Sequence, residues 1–288
     1  MKRRIPELLV SLPPLAWLVA FFFVPAVIIF VLAFKPADVF GGVGAGWTLH
    51  HMRSLTDAQY GPIYWRSVWM SAATATLCLL LGLPTSFAMA RAGERIKNVL
   101  LLLVIVPFWT NFLIRVFAWK ALLHPQGIIC QILQKTGIVD DGAVLLYNNA
   151  AVMLVMVYTL LPFAILPLYA AAEKFDFALM DAARDLGASA WRAFISVFLP
   201  GVKNGIGAAV VMVFVSSFGM YVVTDIIGGT DTDMIGNKIA QRVQSDRNLP
   251  LASALSVPLL LGLAAMLIVG WWWQQRVSTP DRTTKEAL

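Results

Sequence analysis

The chain has 288 residues, 59% of them hydrophobic and only 13% charged, with a formal net charge of +6 and a mean hydropathy of +0.75. Soluble domains carry roughly 45–50% apolar and roughly 25% charged residues, so an ordinary soluble protein is excluded and an integral membrane protein is indicated. The basic excess belongs to membrane loops, not to a nucleic-acid partner.

The N-terminus, MKRR, leads into an apolar run from Leu8 to Phe34. That run is too long for a signal-peptide core of about 7–15 residues, and no small-residue cleavage pattern ends it. It is expected to be a retained first span, with Pro13 and Pro14 breaking the helix ahead of it. Six windows then meet the requirement of about 20 mostly apolar residues. They are Leu15–Phe34, Ser67–Ala90, Val99–Trp119, Ala151–Ala172, Gly205–Ile227 and Leu251–Trp273. Prolines 25, 84, 107, 162, 167 and 258 lie inside them and predict kinked, closely packed helices. Of the two cysteines, Cys78 sits inside a span and reads as a small buried apolar residue, and Cys130 is placed in a loop; neither spacing fits a disulfide or a metal site.

Lysine and arginine are divided 13 to 7 between the two sets of loops, the larger share falling with both termini and with the loop at 173–204. The positive-inside rule therefore puts both termini and that loop in the cytoplasm. Trp271, Trp272 and Trp273 fit an interfacial aromatic belt. On the opposite side, the glycine-rich segment 41–46 reads as flexible. A short helix is expected around Ile128–Gln134, ended by Gly137, and a helical pattern follows at Ile235, Ile239, Arg242 and Val243.

The cytoplasmic stretch Glu173–Asn204 is patterned too strongly for a plain connection. Phe175, Leu179, Ala182, Ala183 and Leu186 recur at helical spacing, Gly187 interrupts, and Trp191, Phe194, Ile195 and Phe198 form a second stripe closed by Pro200. Two short amphipathic helices joined at a glycine are predicted. Their apolar faces must be buried against the bundle or against a partner.

The chain carries no Walker A motif, G-x-G-x-x-G or H-E-x-x-H. His50 and His51 are adjacent and do not share a helix face. A membrane enzyme therefore lacks a nucleophile–base or metal constellation. Ionisable residues at membrane depth are costly and are functional candidates by default. Asn111, Arg115 and Trp119 are spaced to share one helical face, and Ser217, Tyr221, Thr224 and Asp225 another. Two readings stand side by side. In one, Arg115 snorkels to the interface or pairs with Asp225. In the other, these faces line a polar path, where Trp109, Trp119, Tyr221 and Asp225 would meet a passing cation.

Asp181-Ala182-Ala183, three residues, Gly187, nine residues, Val197, one residue and Leu199-Pro200 resemble the EAA loop of ABC importer permeases, with Asp181 for Glu and Val197 for Ile. The segments Ile105–Leu123, Tyr158–Asp176, Asp181–Ser189 and Ser216–Ile239 look like the first permease of spermidine/putrescine importers. The resemblance implies an all-α integral membrane protein with the six-helix type I ABC importer permease fold. It implies a single transmembrane permease domain over residues 1–288, with 173–204 as its coupling loop, in the bacterial inner membrane. Partners would be a second, similar permease, a dimeric cytoplasmic ATPase holding ATP and Mg, and a soluble or lipid-anchored substrate-binding protein. The chain itself would hold no cofactor. Asp181, Ala182, Ala183, Arg184, Asp185 and Gly187 would carry coupling, and Trp109, Asn111, Arg115, Trp119, Tyr221 and Asp225 are the candidates for the path. Another small solute (an opine, an amino-acid derivative or an anion) fits the same architecture, and a lone ion-coupled carrier or channel is the rival from another class.

Overall fold

The computed structural model describes residues 4–38, 41–140 and 142–277. In chain order the helices are α1 (Arg4–Leu18), a π turn (Val19–Phe23), α2 (Val24–Leu32), α3 (His50–Ser54), α4 (Tyr60–Arg91), α5 (Glu94–Trp109), α6 (Phe112–Leu123) and α7 (Ile128–Lys135). They continue as α8 (Asn149–Glu173), α9 (Ala178–Asp185), α10 (Ala190–Ala193), a second π turn (Phe194–Phe198), α11 (Leu199–Gly201) and α12 (Lys203–Phe218). The last are α13 (Val222–Ile227), α14 (Ile235–Gln244) and α15 (Leu249–Val277).

Among the described residues, four helices are long and apolar enough to cross a membrane, or up to six if each of two bent pairs is one span. The windows around residues 15–34, 67–90, 151–172 and 251–273 fall within continuous helix or end a residue or two past it. The tryptophans at 271–273 belong to α15, but their side chains lie outside the described set. The expected breaks at Pro13 and Pro14 do not occur: α1 runs through both. The irregularity comes later, in the π turn ahead of Pro25, where the Val24 N–H reaches back to Val19 O. A π turn also precedes Pro200, with the Leu199 N–H on Phe194 O. Widening the turn just before a proline relieves the clash of its ring with the carbonyl four residues back.

The chain divides into two compact units. The first comprises the segments up to Ile63 and from Lys238 to Ala265. Its small core sets Ala33 against Ala254 and Val257, with Phe34, Met52 and Leu55 around them. The segment expected to be flexible is a pinned turn: Gly41, Gly42 and Gly46 have φ of 90°, 105° and 102°, and the Gly42 N–H donates to Arg247 O at 3.0 Å. Lys35 lies 4.2 Å over the Trp47 ring beside it.

The second unit comprises Tyr64 to Asn237 and the residues from Met266 onward. Its axis is α8, whose buried residues occur on almost every turn from Ala151 to Ala172. Helix α12 packs along α8, and Gly205 permits the approach, since a Cβ there would lie 2.5 Å from that of Ala171. Cys78 of α4 is buried in the same core, its thiol 3.7 Å from Val157 O. Cys130 is buried within α7, the short helix expected in that connection, and both thiols are free.

The two remaining windows are broken. Val99–Trp119 is interrupted at Thr110 and Asn111, and α5 and the segment beginning with α6 meet at 93°. The Thr110 hydroxyl bonds to Pro107 O at 2.6 Å and Asn111 Oδ1 accepts the Leu113 N–H at 2.8 Å. Both side chains thus take over main-chain groups that a continuous helix would have paired. Gly205–Ile227 is interrupted between Phe218 and Val222, so Ser217 and Asp225 do not share a helix face as the spacing predicts. Gly236 approaches this break so closely that a Cβ on it would come 2.8 Å from Gly219 O.

Asn237 then satisfies the broken strand of backbone. Its Nδ2 donates to Tyr221 O at 3.2 Å, and its Oδ1 accepts the Met234 N–H at 3.2 Å and the Thr224 hydroxyl at 2.5 Å. Asn237→Leu strands the buried Met234 N–H, at a cost of about 1–3 kcal/mol, while Tyr221 O keeps the Asp225 N–H at 2.8 Å. Its thermal unfolding midpoint in detergent is expected to fall well below the wild-type value. A midpoint equal to wild type would remove Asn237 from this role.

Candidate functional site

The first candidate is the stretch that joins α8 to α12. Helix α9 ends in a Schellman motif: the Gly187 N–H bonds to Arg184 O at 2.9 Å and the Ala188 N–H to Ala183 O at 3.0 Å. Gly187 has φ of +89°, a conformation that costs a side-chain-bearing residue roughly 1–2 kcal/mol. Ser189 then caps α10, accepting the Arg192 N–H at 3.3 Å. Two short helices meeting at a glycine are therefore observed as the periodicity predicts.

Their inner side is an aromatic cluster. Phe87 at the end of α4 contacts Phe177, Phe194 and Phe198 edge-on, at centroid distances of 5.8, 5.3 and 4.9 Å. Phe175 packs on Phe177 and Phe198, and Met180, Ala183 and Ala193 complete the cluster. The Arg91 guanidinium sits 5.7 Å from the rings of both Phe87 and Phe177. At the head of the stretch, Glu173 Oε1 pairs with Lys97 Nζ at 2.9 Å, and Lys97 also reaches Glu94 at 3.3 Å. The stretch is thus clamped to α4, α5 and α8.

Its outer side is free. Asp181, Arg184 and Asp185 are exposed, as their spacing predicts. The apolar stripe is split, however. Ala183 faces the cluster, whereas Leu179, Ala182 and Leu186 face outward with Trp191 and Ile195. Leu186 is 90% and Trp191 71% exposed, so the outer face mixes charge with large apolar side chains.

The second candidate is a cavity of about 370 Å³. It lies where the two helix breaks meet α8. Phe108, Thr110 and Phe112 come from the first break and Ser216 and Met220 from the second. Helix α8 supplies Thr159, Leu160 and Phe163, and α6 supplies Arg115. Irregular backbone in an apolar span is tolerated where it lines such a space. Arg115 Nε and Thr159 Oγ1 are both buried without a hydrogen-bond partner among the described residues.

Of the six path candidates, only Arg115 lines this cavity. Asn111 caps α6. Trp119 packs edge-on against Tyr158 at 5.3 Å. Trp109 is 77% and Tyr221 40% exposed. Asp225 is exposed on α13, whose other side buries Val223 and Ile227. Among the described residues Arg115 and Asp225 form no ion pair with each other. Thr159 was missed because a lone threonine in an apolar helix carries no spacing signal. Thr110 and Ser216 were missed because the breaks were not foreseen.

Comparisons with known proteins agree with this architecture. Residues 79–279 match the family described as binding-protein-dependent transport system inner membrane component. The chain is 36% identical over 254 residues to the spermidine/putrescine transport system permease protein PotB of Haemophilus influenzae, covering 88% of this chain and 89% of that one. It is 35% identical over 255 residues to PotB of Escherichia coli K12, covering 88% and 93%. The fold matches a bacterial ABC transporter involved in the import of the acidic polysaccharide alginate, with a TM-score of 0.71 at 17% identity over 96% of this chain and 98% of that one. The chain therefore has the fold of an ABC importer permease and belongs to the family of inner-membrane components of binding-protein-dependent transport systems.

Proposed function

We propose that this chain is one half of the transmembrane path of an ATP-driven importer, with a polyamine such as spermidine or putrescine as cargo. The observation that carries the mechanism is the α9–α10 stretch: rigidly clamped inside, terminated by Gly187 and open outside. A piece of this kind transmits rigid-body motion from whatever docks on it. The docking partner is a cytoplasmic ATPase subunit, which holds the ATP and Mg, so the chain itself is non-catalytic. Asp181, Arg184 and Asp185 offer charge to its groove, Leu186 and Trp191 offer apolar contact, and Ala182 lets the surfaces approach. ATPase closure swings the stretch and biases the bundle between inward- and outward-facing packings.

The remaining partners are a second, similar permease and a substrate-binding protein on the far side, with both termini cytoplasmic. The polyamine reading is supported by the similarity to PotB along 88% of the chain. In the path, Trp109 and Tyr221 offer exposed ring faces and Asp225 an exposed carboxylate to a cationic cargo.

Three outcomes test this reading. The assembled complex in proteoliposomes takes up spermidine only with ATP; gradient-driven uptake by this chain alone would show a self-sufficient carrier instead. Gly187→Pro and Asp181→Lys insert normally but lower ATPase association or ATP-coupled uptake at least about tenfold, equivalent to roughly 1.4 kcal/mol; undiminished uptake in both removes the docking role. Asp225→Asn raises the KM for spermidine about 3–10-fold, the effect of roughly 1 kcal/mol, with assembly retained; an unchanged KM assigns Asp225 no part in cargo contact.

A further inference from the structure

We propose that the cavity at the two helix breaks binds a carboxylate, held by Arg115 and Thr159. Arg115 stands in the first turns of α6, and its Nε is buried with no hydrogen-bond partner among the described residues. Thr159, on the facing wall, is 4% exposed and its hydroxyl is likewise unpartnered. No acidic residue lines the cavity, and no described carboxylate pairs with Arg115. The other walls are largely apolar, including Phe108, Phe163 and Met220. Arg115 is half-buried, and a guanidinium partly withdrawn from water without a counter-charge favours an anionic partner, whose charge the apolar walls strengthen.

The shape of the donors selects the ligand. A guanidinium presents a planar fork that matches a carboxylate, and a hydroxyl across the cavity adds a further donor. The N-terminal end of α6, beside Thr110 and Asn111, favours negative charge at the same place. The guanidinium and the N-terminal end of α6 both disfavour a cation at this point of the path. The carboxylate has two sources: a free small carboxylate entering the path, or an acidic side chain of the second permease subunit. The second source rests on the importer reading above.

The test uses the full complex with its second permease and ATPase, purified in nanodiscs, as wild type and with Arg115→Gln, Arg115→Lys or Thr159→Val. Size-exclusion of the wild type is the control for assembly, and its failure would count against the importer reading, not against this site. Thermal midpoints are measured in sodium chloride and in sodium acetate of equal ionic strength. A free-carboxylate site gives a wild-type midpoint raised by acetate by about 2–4 °C, an increment lost in Arg115→Gln and reduced in Thr159→Val. A carboxylate from the second permease gives no acetate effect, but Arg115→Gln lowers the midpoint or releases that subunit, and Arg115→Lys restores part of the loss. An acetate effect common to wild type and Arg115→Gln overturns the proposal. So does an Arg115→Gln complex as stable as wild type or more stable without any acetate effect, because it shows that the guanidinium stands unpaired.

Discussion

A main-chain N–H or C=O in hydrocarbon has no water to turn to, and each one left unpaired costs several kcal/mol. The architecture of this chain is arranged around the places where it breaks that pairing and repairs it. At the first break, Thr110 and Asn111 take up the freed groups with their own side chains. At the second, Asn237 in the first turn of α14 holds Tyr221, Thr224 and Met234 together. Both breaks open on one cavity against α8, which is how an apolar bundle comes to hold a space with a charged residue at its wall.

The α9–α10 stretch solves the opposite problem. It has little continuous helix of its own, and its stiffness comes from packing. Aromatic pairs contribute about 0.5–1.5 kcal/mol each beyond their buried area. The contacts that Phe87 makes with three rings bind α4 to the stretch, and Lys97 with Glu173 adds α5 to α8. A load applied at Leu186 or Trp191 is thus delivered to several membrane helices at once, so the bundle responds as a body.

The parts legible in sequence were those whose cause is local. Gly187, with helical stripes on either side, reveals the joint because a left-handed turn selects glycine wherever it occurs. Cys78 and the four unbroken spans follow from apolar length alone. The breaks were hidden because apolar residues resume directly on both sides of them, so that each stretch still meets the length and hydropathy of one span. Thr110-Asn111 is a capping signal, but within a hydrophobic run it reads equally as a polar face. The break at Gly219 depends on Gly236 and Asn237, seventeen and eighteen positions away, and no window of helical period reaches that far. The outward half of the α9 stripe escaped for another reason. Periodicity identifies a face, and only the aromatic cluster decides which face is covered.

The π turns carry a consequence for the phase of the helices. Each holds one residue more than an α-helical turn would use, which resets the direction of the following side chains by about 100°. The turn at Phe194–Phe198 sits between α10, whose Trp191 and Arg192 are exposed, and α11, which leads into the α12 that packs on α8. Removing a single residue there would leave a continuous helix as far as Gly201, ahead of the 73° bend that precedes α12. It would also turn Trp191 and Arg192 to another azimuth while α12 kept its seat on α8. The angle at which this chain presents its outer face is therefore written in residue count as much as in residue identity.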